Sequence, residues 1–394
     1  MKIIFIILFQ SLLVGLFANT NKVFEAYANV EKGNYTLAIE NFNALIESAG
    51  EDNNQYLFER ANCYYLMQDY LKAKKDLLTL SENNFNDANL LLAKVNVRLG
   101  ATFESFIYLE RYFNNEKNPD IIAIKSDTAF AELSQTDKWI EFWLSKEESS
   151  LQILIADVKY YIQKGKFEVA LNRMEDVEDN PEILYLKSIS IGNLDNLPMA
   201  FQYINSAIKL ELNNSDFLFQ KASLLIKTEK YTNSIALLLR TIELKPQFFK
   251  AYEQLAYAYY KIGNSESAKE NIDLLVNYFP ENVAYKILAT KIALLSNDNM
   301  QALKYVNEII QKETLNAETY YLRGRAYFNM GTVKQALNDF AMSLDLNPDN
   351  ADAYFNLGNC NYKMGDSKGA CYNWNKAAEM GSNPAMKKLV DFCK

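Results

Sequence analysis

Residues 317–350 read AETYYLRGRAYFNMGTVKQALNDFAMSLDLNPDN. Tyr320, Leu322 and Tyr327 recur at helical spacing, and Leu337, Phe340 and Leu344 repeat the pattern on a second stretch. Gly331 lies between the two stretches, where the first helix has to stop and reverse; that position often needs a positive φ. Gly324 and Ala336 are small, so two antiparallel helices can approach closely at that level. Pro348 cannot donate to a helix and marks the end of the second. The stretch therefore predicts a helical hairpin with an apolar side that it cannot cover by itself.

The same features recur along the chain. Small residues stand at Ala200, Ser234, Ala268, Ala302, Ala336 and Ala370, each 34 residues from the last, with Ala38, Ala73, Ser105 and Ala170 in looser copies. A second small row lies twelve residues before the first, at Ala26, Ala61, Ala93, Ser188, Ala222, Ala256, Thr290, Gly324 and Gly358, broken only by Val158. Gly33, Gly100, Gly165, Gly263, Gly331 and Gly365 fall between the rows, and Pro246, Pro280 and Pro348 close copies. A fixed period of this length signals stacked hairpins, each covering its neighbour's apolar side.

This pattern resembles the tetratricopeptide repeat family. The resemblance rests on a 34-residue phase held over six copies, and ten copies are counted in all: about 20–53, 54–85, 86–113, 151–180, 181–214, 215–248, 249–282, 283–316, 317–350 and 351–384. The family's first-helix tryptophan is replaced by Tyr252, Tyr320 and Tyr354, and in the copy 181–214 Asp195 stands for the turn glycine and Leu212 for the terminal proline. The expected fold is all-α, a right-handed solenoid of antiparallel helical hairpins. It divides into a three-repeat block at 19–113, a non-repeat helical insert at 114–150, a block of about seven repeats at 151–384 and a capping helix at 385–394. The KAAEMG stretch at 376–381 resembles the Sel1-like variant of the same superfamily.

In the insert, NNEKNPD (114–120) reads as a loop, and DTAFAEL (127–133) and TDKWIEFWLS (136–145) read as short helices capped by Asp127 and Thr136. Phe130, Leu133, Trp139, Phe142 and Trp143 form either a plug between the blocks or, if exposed, an aromatic hook for a partner or lipid surface. Residues 1–18, MKIIFIILFQSLLVGLFA, have one cation before an apolar run shorter than the roughly 20 residues of a membrane span. They read as a signal peptide cut after Ala18, which implies export to the periplasm or outside the cell, with a retained anchor as the alternative. Leu16 departs from the small residue preferred three positions before the cut. In an exported chain the cysteines can oxidise. Cys371 and Cys393 come level when the last two helices pack antiparallel; Cys360 is a rival partner for Cys371, and four buried thiols with no bridge are the third reading.

The chain has no histidine, which removes His-based acid–base chemistry and His metal ligands. A net charge of −8 argues against a general affinity for nucleic acid. Ser206 and Lys209 match an SxxK spacing without its companion motifs. Asp345, Asn347 and Asp349 begin like a calcium loop but lack its glycine and closing glutamate. No phosphate-binding glycine loop, nucleophile elbow or cysteine metal spacing occurs, so no enzyme, cofactor, metal or small-molecule substrate is expected.

The resemblance implies that first helices line a concave face that holds peptides or partner helices of other proteins. At the second, fifth, ninth, twelfth and thirteenth positions of the copies it picks out Phe219, Tyr257, Tyr260, Lys261, Tyr321, Arg325, Phe328, Asn329, Phe355, Asn359, Tyr362 and Lys363 as peptide-binding residues. The leading expectation is a binding scaffold of the cell envelope. The alternative is an assembly subunit of an envelope secretion or surface complex that uses its convex faces and the 114–150 insert.

Overall fold

A computed structural model describes residues 22–50, 53–116, 119–144, 150–312 and 316–393; the expected signal segment lies outside them. Among the described residues there is no strand. The chain forms two compact units, one of residues up to Leu224 with Thr241–Gln247, the other of Leu225–Arg240 with Phe248–Lys394. This division does not coincide with the 114–150 segment.

The first unit begins with α1 (22–31) and α2 (Tyr35–Ala49), then α3 (Asn54–Leu66), α4 (Tyr70–Glu82), α5 (Asp87–Arg98) and α6 (Thr102–Asn115). Helices α7 (Ile121–Ser126) and α8 (Asp137–Leu144) form the insert. They are followed by α9 (Ser150–Gln163), α10 (Phe167–Arg173), α11 (Pro181–Asn193) and α12 (Leu197–Leu210). The boundary runs through α13 (Ser215–Lys227) and α14 (Tyr231–Leu244). The second unit continues with α15 (Phe249–Lys261), α16 (Ser265–Tyr278), α17 (Val283–Leu295), α18 (Asn299–Lys312), α19 (Ala317–Asn329), α20 (Val333–Leu346), α21 (Ala351–Lys363), α22 (Ser367–Glu379) and α23 (Asn383–Phe392). Within each unit the second helix of one hairpin lies on the first helix of the next: α4 on α5 and α10 on α11, then α16 on α17, α18 on α19 and α20 on α21.

Both small-residue rows sit at the hairpin crossings. Ala38, Ala73, Ser105, Ala170, Ala200, Ala268, Ala302, Ala336 and Ala370 are all 0% exposed, as is Val158 in the other row. Two of the row serines bridge to their opposite numbers, Ser105 Oγ donating to the Ala93 carbonyl and Ser188 Oγ to that of Ala200, both at 2.9 Å, whereas Ser234 Oγ donates to the Tyr231 carbonyl of its own helix at 2.7 Å. A Cβ on Gly324 would meet the Phe340 ring at 2.8 Å, and one on Gly358 would meet Trp374 at 2.5 Å. Phe340 and Trp374 are themselves fully buried, each contributing about 3 kcal/mol over an exposed ring.

Asparagine explains much of the helix phasing. Asn180, Asn282, Asn316 and Asn350 cap α11, α17, α19 and α21, accepting from the backbone N–H three residues on at 3.0–3.2 Å. These caps fill the last place of a copy, so each hairpin carries the start signal for the next. The turn between helices is held at positive φ whether or not glycine is present: Gly331 has φ 79°, and Gln68, Asp195, Glu229 and Asn297 have φ 65°, 62°, 57° and 59°. An L side chain pays roughly 1–2 kcal/mol for that conformation, so in those four copies packing outweighs local preference.

The insert is buried. Phe130, Leu133, Trp139, Phe142 and Trp143 join Val97, Phe106, Leu109 and Tyr112 of α5 and α6 in one cluster. Trp139 and Trp143 are 6% and 8% exposed and meet edge to face at 5.4 Å, which overturns the reading of this segment as an exposed hook. Helix α7 extends order into 121–126, where no helix was expected, and packs on α9, with the Gln152 side chain donating to the Pro119 carbonyl. The stretch 127–133 winds only a 3-10 turn, Thr128–Phe130, started by Asp127, which accepts from Ala129 N–H at 2.8 Å. The capping helix begins at Asn383 rather than 385, with Pro384 in its first turn.

These contacts give opposite expectations for two glycine exchanges. Gly324→Ala pushes a methyl into Phe340 and should cost about 1–3 kcal/mol. Glu229→Gly relieves a positive φ and should be neutral to stabilising by up to about 1 kcal/mol. Urea unfolding followed by circular dichroism reads both, and an unaffected Gly324→Ala protein would contradict the close approach.

Candidate functional site

In the second unit the first helices touch one another directly, α15 against α17, α17 against α19 and α19 against α21, so they share one face. The expected binding residues on α15, α19 and α21 fall into four groups there. Tyr257 lies 6.1 Å from Tyr231 and 6.4 Å from Tyr260, centroid to centroid. The Lys261 ammonium rides over this group, 5.4 Å from the Tyr231 ring and 5.9 Å from Tyr257. The Tyr257 phenol and a hydrogen bond to Tyr231 hold Lys261 above the ordinary lysine value.

Tyr321 forms the second group. Its ring packs 5.8 Å from Phe340, its hydroxyl accepts from Asn356 Nδ2 at 3.4 Å, and the Arg325 guanidinium lies 6.0 Å from its centroid. Burial pushes the Tyr321 phenol up to about 12, with Arg325 opposing and Asp352 and Tyr260 adding to the rise. In the third group Lys363 Nζ lies 4.1 Å over the Phe328 ring. In the fourth, Tyr362 stacks 4.8 Å from Phe392 and 5.6 Å from Trp374. Lys388 covers Phe392 at 4.8 Å and Trp374 at 5.7 Å.

Three expected residues are tied into the fold. Phe355 packs against the Ala370, Trp374 and Ala377 cluster. Asn359 Oδ1 accepts from Trp374 Nε1 at 3.2 Å, and Asn329 Nδ2 donates to Asn299 Oδ1 at 3.0 Å. Phe219, on α13 in the first unit, is half-buried. Periodicity did not point to Tyr231, Lys388 or Phe392. Tyr231 opens a second helix, outside the positions considered, and Lys388 and Phe392 follow the last 34-residue copy, so no repeat phase could place them.

Cys371 and Cys393 are joined by a disulfide with Cα atoms 5.7 Å apart, which ties α22 to the end of α23. Cys63 and Cys360 are buried thiols, each pushed up to about 12 by burial and therefore poor nucleophiles near neutral pH. Among the described residues no group of Cys, Asp and Glu side chains could hold a metal ion, and no helix is long and apolar enough to cross a membrane.

Profiles of the tetratricopeptide repeat match residues 25–79, 215–248, 249–282 and 352–379, and a TPR repeat profile matches 324–365. A TPR repeat-containing protein of Methanocaldococcus jannaschii is 22% identical over 362 residues, covering 82% of this chain and 63% of its own length. DnaJ homolog subfamily C member 3 of Bos taurus is 22% identical over 206 residues, covering 48% of this chain and 40% of its own. The chain thus spans less than two thirds of the length of these curated relatives. Among solved structures, one from the APC/C hetero-tetramer Cut9–Hcn1 aligns with 94% of this chain and 95% of its own at a TM-score of 0.51 and 13% identity, which shows the fold alone. A tetratricopeptide repeat protein of Parabacteroides merdae aligns with 62% of this chain and 99% of its own at a TM-score of 0.49 and 18% identity.

Glu253 is the half-buried carboxylate on α15, and burial, opposed by Lys250, raises it above the usual glutamate range. A carboxyl whose folded value is raised contributes its stabilisation at low pH and loses it as pH climbs through that value. Glu253→Gln should therefore be more stable than the parent at neutral pH, with the gain shrinking as pH falls toward about 4. Melting temperatures across that range test the sign.

Proposed function

Because the chain is a tetratricopeptide repeat protein, of a family that mediates protein–protein interaction, we propose that it is a non-catalytic scaffold whose first-helix face from residue 249 onward holds a segment of another polypeptide. The observation that carries this reading is the set of rings on that face fixed on one side and open on the other. Tyr362 is 42% exposed although it stacks on Phe392, and Tyr257, Tyr260 and Phe328 reach solvent from anchored positions. Rings already held in place offer apolar area to a ligand at little further entropic cost. Lys261, Arg325 and Lys363 beside them supply donors for peptide carbonyls or carboxylates. The leader-like residues 1–18 support export, so the envelope or the cell exterior is the proposed site of work.

One observation favours the alternative, an assembly subunit. Beside α6 and α8 lies an open cavity of about 540 Å³ lined by Phe103, Ile107, Phe142, Arg111 and Lys138, and Phe103 is 65% exposed. Capture experiments separate the two. A protein carrying Tyr257→Ala, Lys261→Ala and Tyr362→Ala should lose the polypeptides that the parent retains from envelope extracts, whereas Phe103→Ser with Ile107→Ser should keep them. The reverse pattern would favour assembly through the α6–α8 surface.

A further inference from the structure

Four cations of the second unit are seated on aromatic rings rather than in ion pairs. The chain has 49 acidic against 41 basic residues, and several cations of this unit are paired: Lys286 with Glu308 at 2.7 Å, Lys291 with Glu318 at 2.6 Å, Arg323 with Asp339 at 2.7 Å. Among the described residues Lys261, Arg325, Lys363 and Lys388 have no carboxylate within 4.0 Å; each rests over an aromatic ring instead. A ring face positions a cation without neutralising it, so the charge and its N–H donors stay available. Glu253 and Asp352, on the same set of helices, pair with none of the four.

Helix α23 takes part in this arrangement. Lys388 and Phe392 are four residues apart and so lie on one side of the helix. Phe392 stacks on Tyr362, which belongs to the first-helix face, and the neighbouring Cys393 is bonded to α22. Tyr362 and Phe392 remain 42% and 44% exposed, leaving an aromatic surface flanked by Lys363 and Lys388.

We propose that α23 is a wall of the binding face as well as a cap, and that the face takes an acidic polypeptide segment. Its carboxylates would meet the ring-seated cations and its aromatic side chains the Tyr362–Phe392 stack. The inference rests on the scaffold reading above and adds the chemistry of the ligand. The exposed rings suit side chains interleaved with the charges, as a polypeptide supplies them.

Fluorescence anisotropy with the full chain, disulfide intact, tests this, using a labelled peptide of alternating Glu and Tyr and its Gln/Tyr counterpart. The Glu peptide should bind at least about tenfold more tightly, about 1.4 kcal/mol, with the advantage fading as salt is raised. Lys363→Gln with Lys388→Gln should bring it down to the level of the Gln peptide, and Phe392→Ser should weaken both peptides while circular dichroism stays unchanged. Equal affinity for the two peptides, binding of neither, or preference for a DNA oligonucleotide or anionic vesicles would overturn the proposal. If capture in the preceding experiment still depends on Tyr257, Lys261 and Tyr362, the scaffold reading survives that result; if capture is also indifferent to them, both fall.

Discussion

The close approach of two helices within each hairpin is the constraint on which everything else depends. It rests on alanine, serine or glycine at both sides of most crossings, with Val158 and Thr290 as the larger exceptions, and those positions are shut off from solvent. Once the helices are that near, a large residue fits between them only opposite a glycine. Phe340 and Trp374 sit over Gly324 and Gly358 within their pairs and are closed over by the next helix, beside Cys360 and Ala385, so the hairpin leaves apolar area that it cannot cover by itself. The stack follows from the local geometry, and the shared face of first helices follows from the stack.

Polar contacts fix how neighbouring hairpins meet. Arg323 makes a two-pronged pair with Asp339, at 2.8 and 2.7 Å, and reaches Asn307 on the preceding hairpin. Arg60 does the same with Asp76, at 2.8 Å on both prongs, and with Asn43. The two sets occupy the same places in copies far apart in sequence. A fork-shaped guanidinium accepts only a narrow range of carboxylate orientations, so these clamps restrict the angle between hairpins, which an apolar contact leaves looser.

Periodicity read the fold because the crossings need small residues at fixed intervals, and Ala336 or Gly324 can be recognised with no knowledge of what surrounds them. It failed where geometry is set by something outside the interval. Helix α7 was invisible because it lies in a stretch without register, and the burial of Trp139 and Trp143 depends on α5 and α6, which the insert's own residues do not reveal. The binding face was only partly readable. Inward-facing positions pick out Tyr257 and Lys363, but whether a side chain is free or consumed by packing is decided by neighbours. Asn359 is used up by Trp374, and Phe355 by the core beneath it. Phe392 and Lys388 come from a helix that obeys no repeat at all.

The disulfide has a mechanical meaning. In a row of units that each grip only the next, the outermost unit is gripped on one side and is the first to come loose. The link between Cys371 and Cys393 spans 22 residues and, in the chain-entropy picture, restrains the loosened state by roughly 3 kcal/mol. It joins α22 to α23, so separation of these two helices is opposed. Under heat or tension the helices stitched by this link should be slow to part from each other.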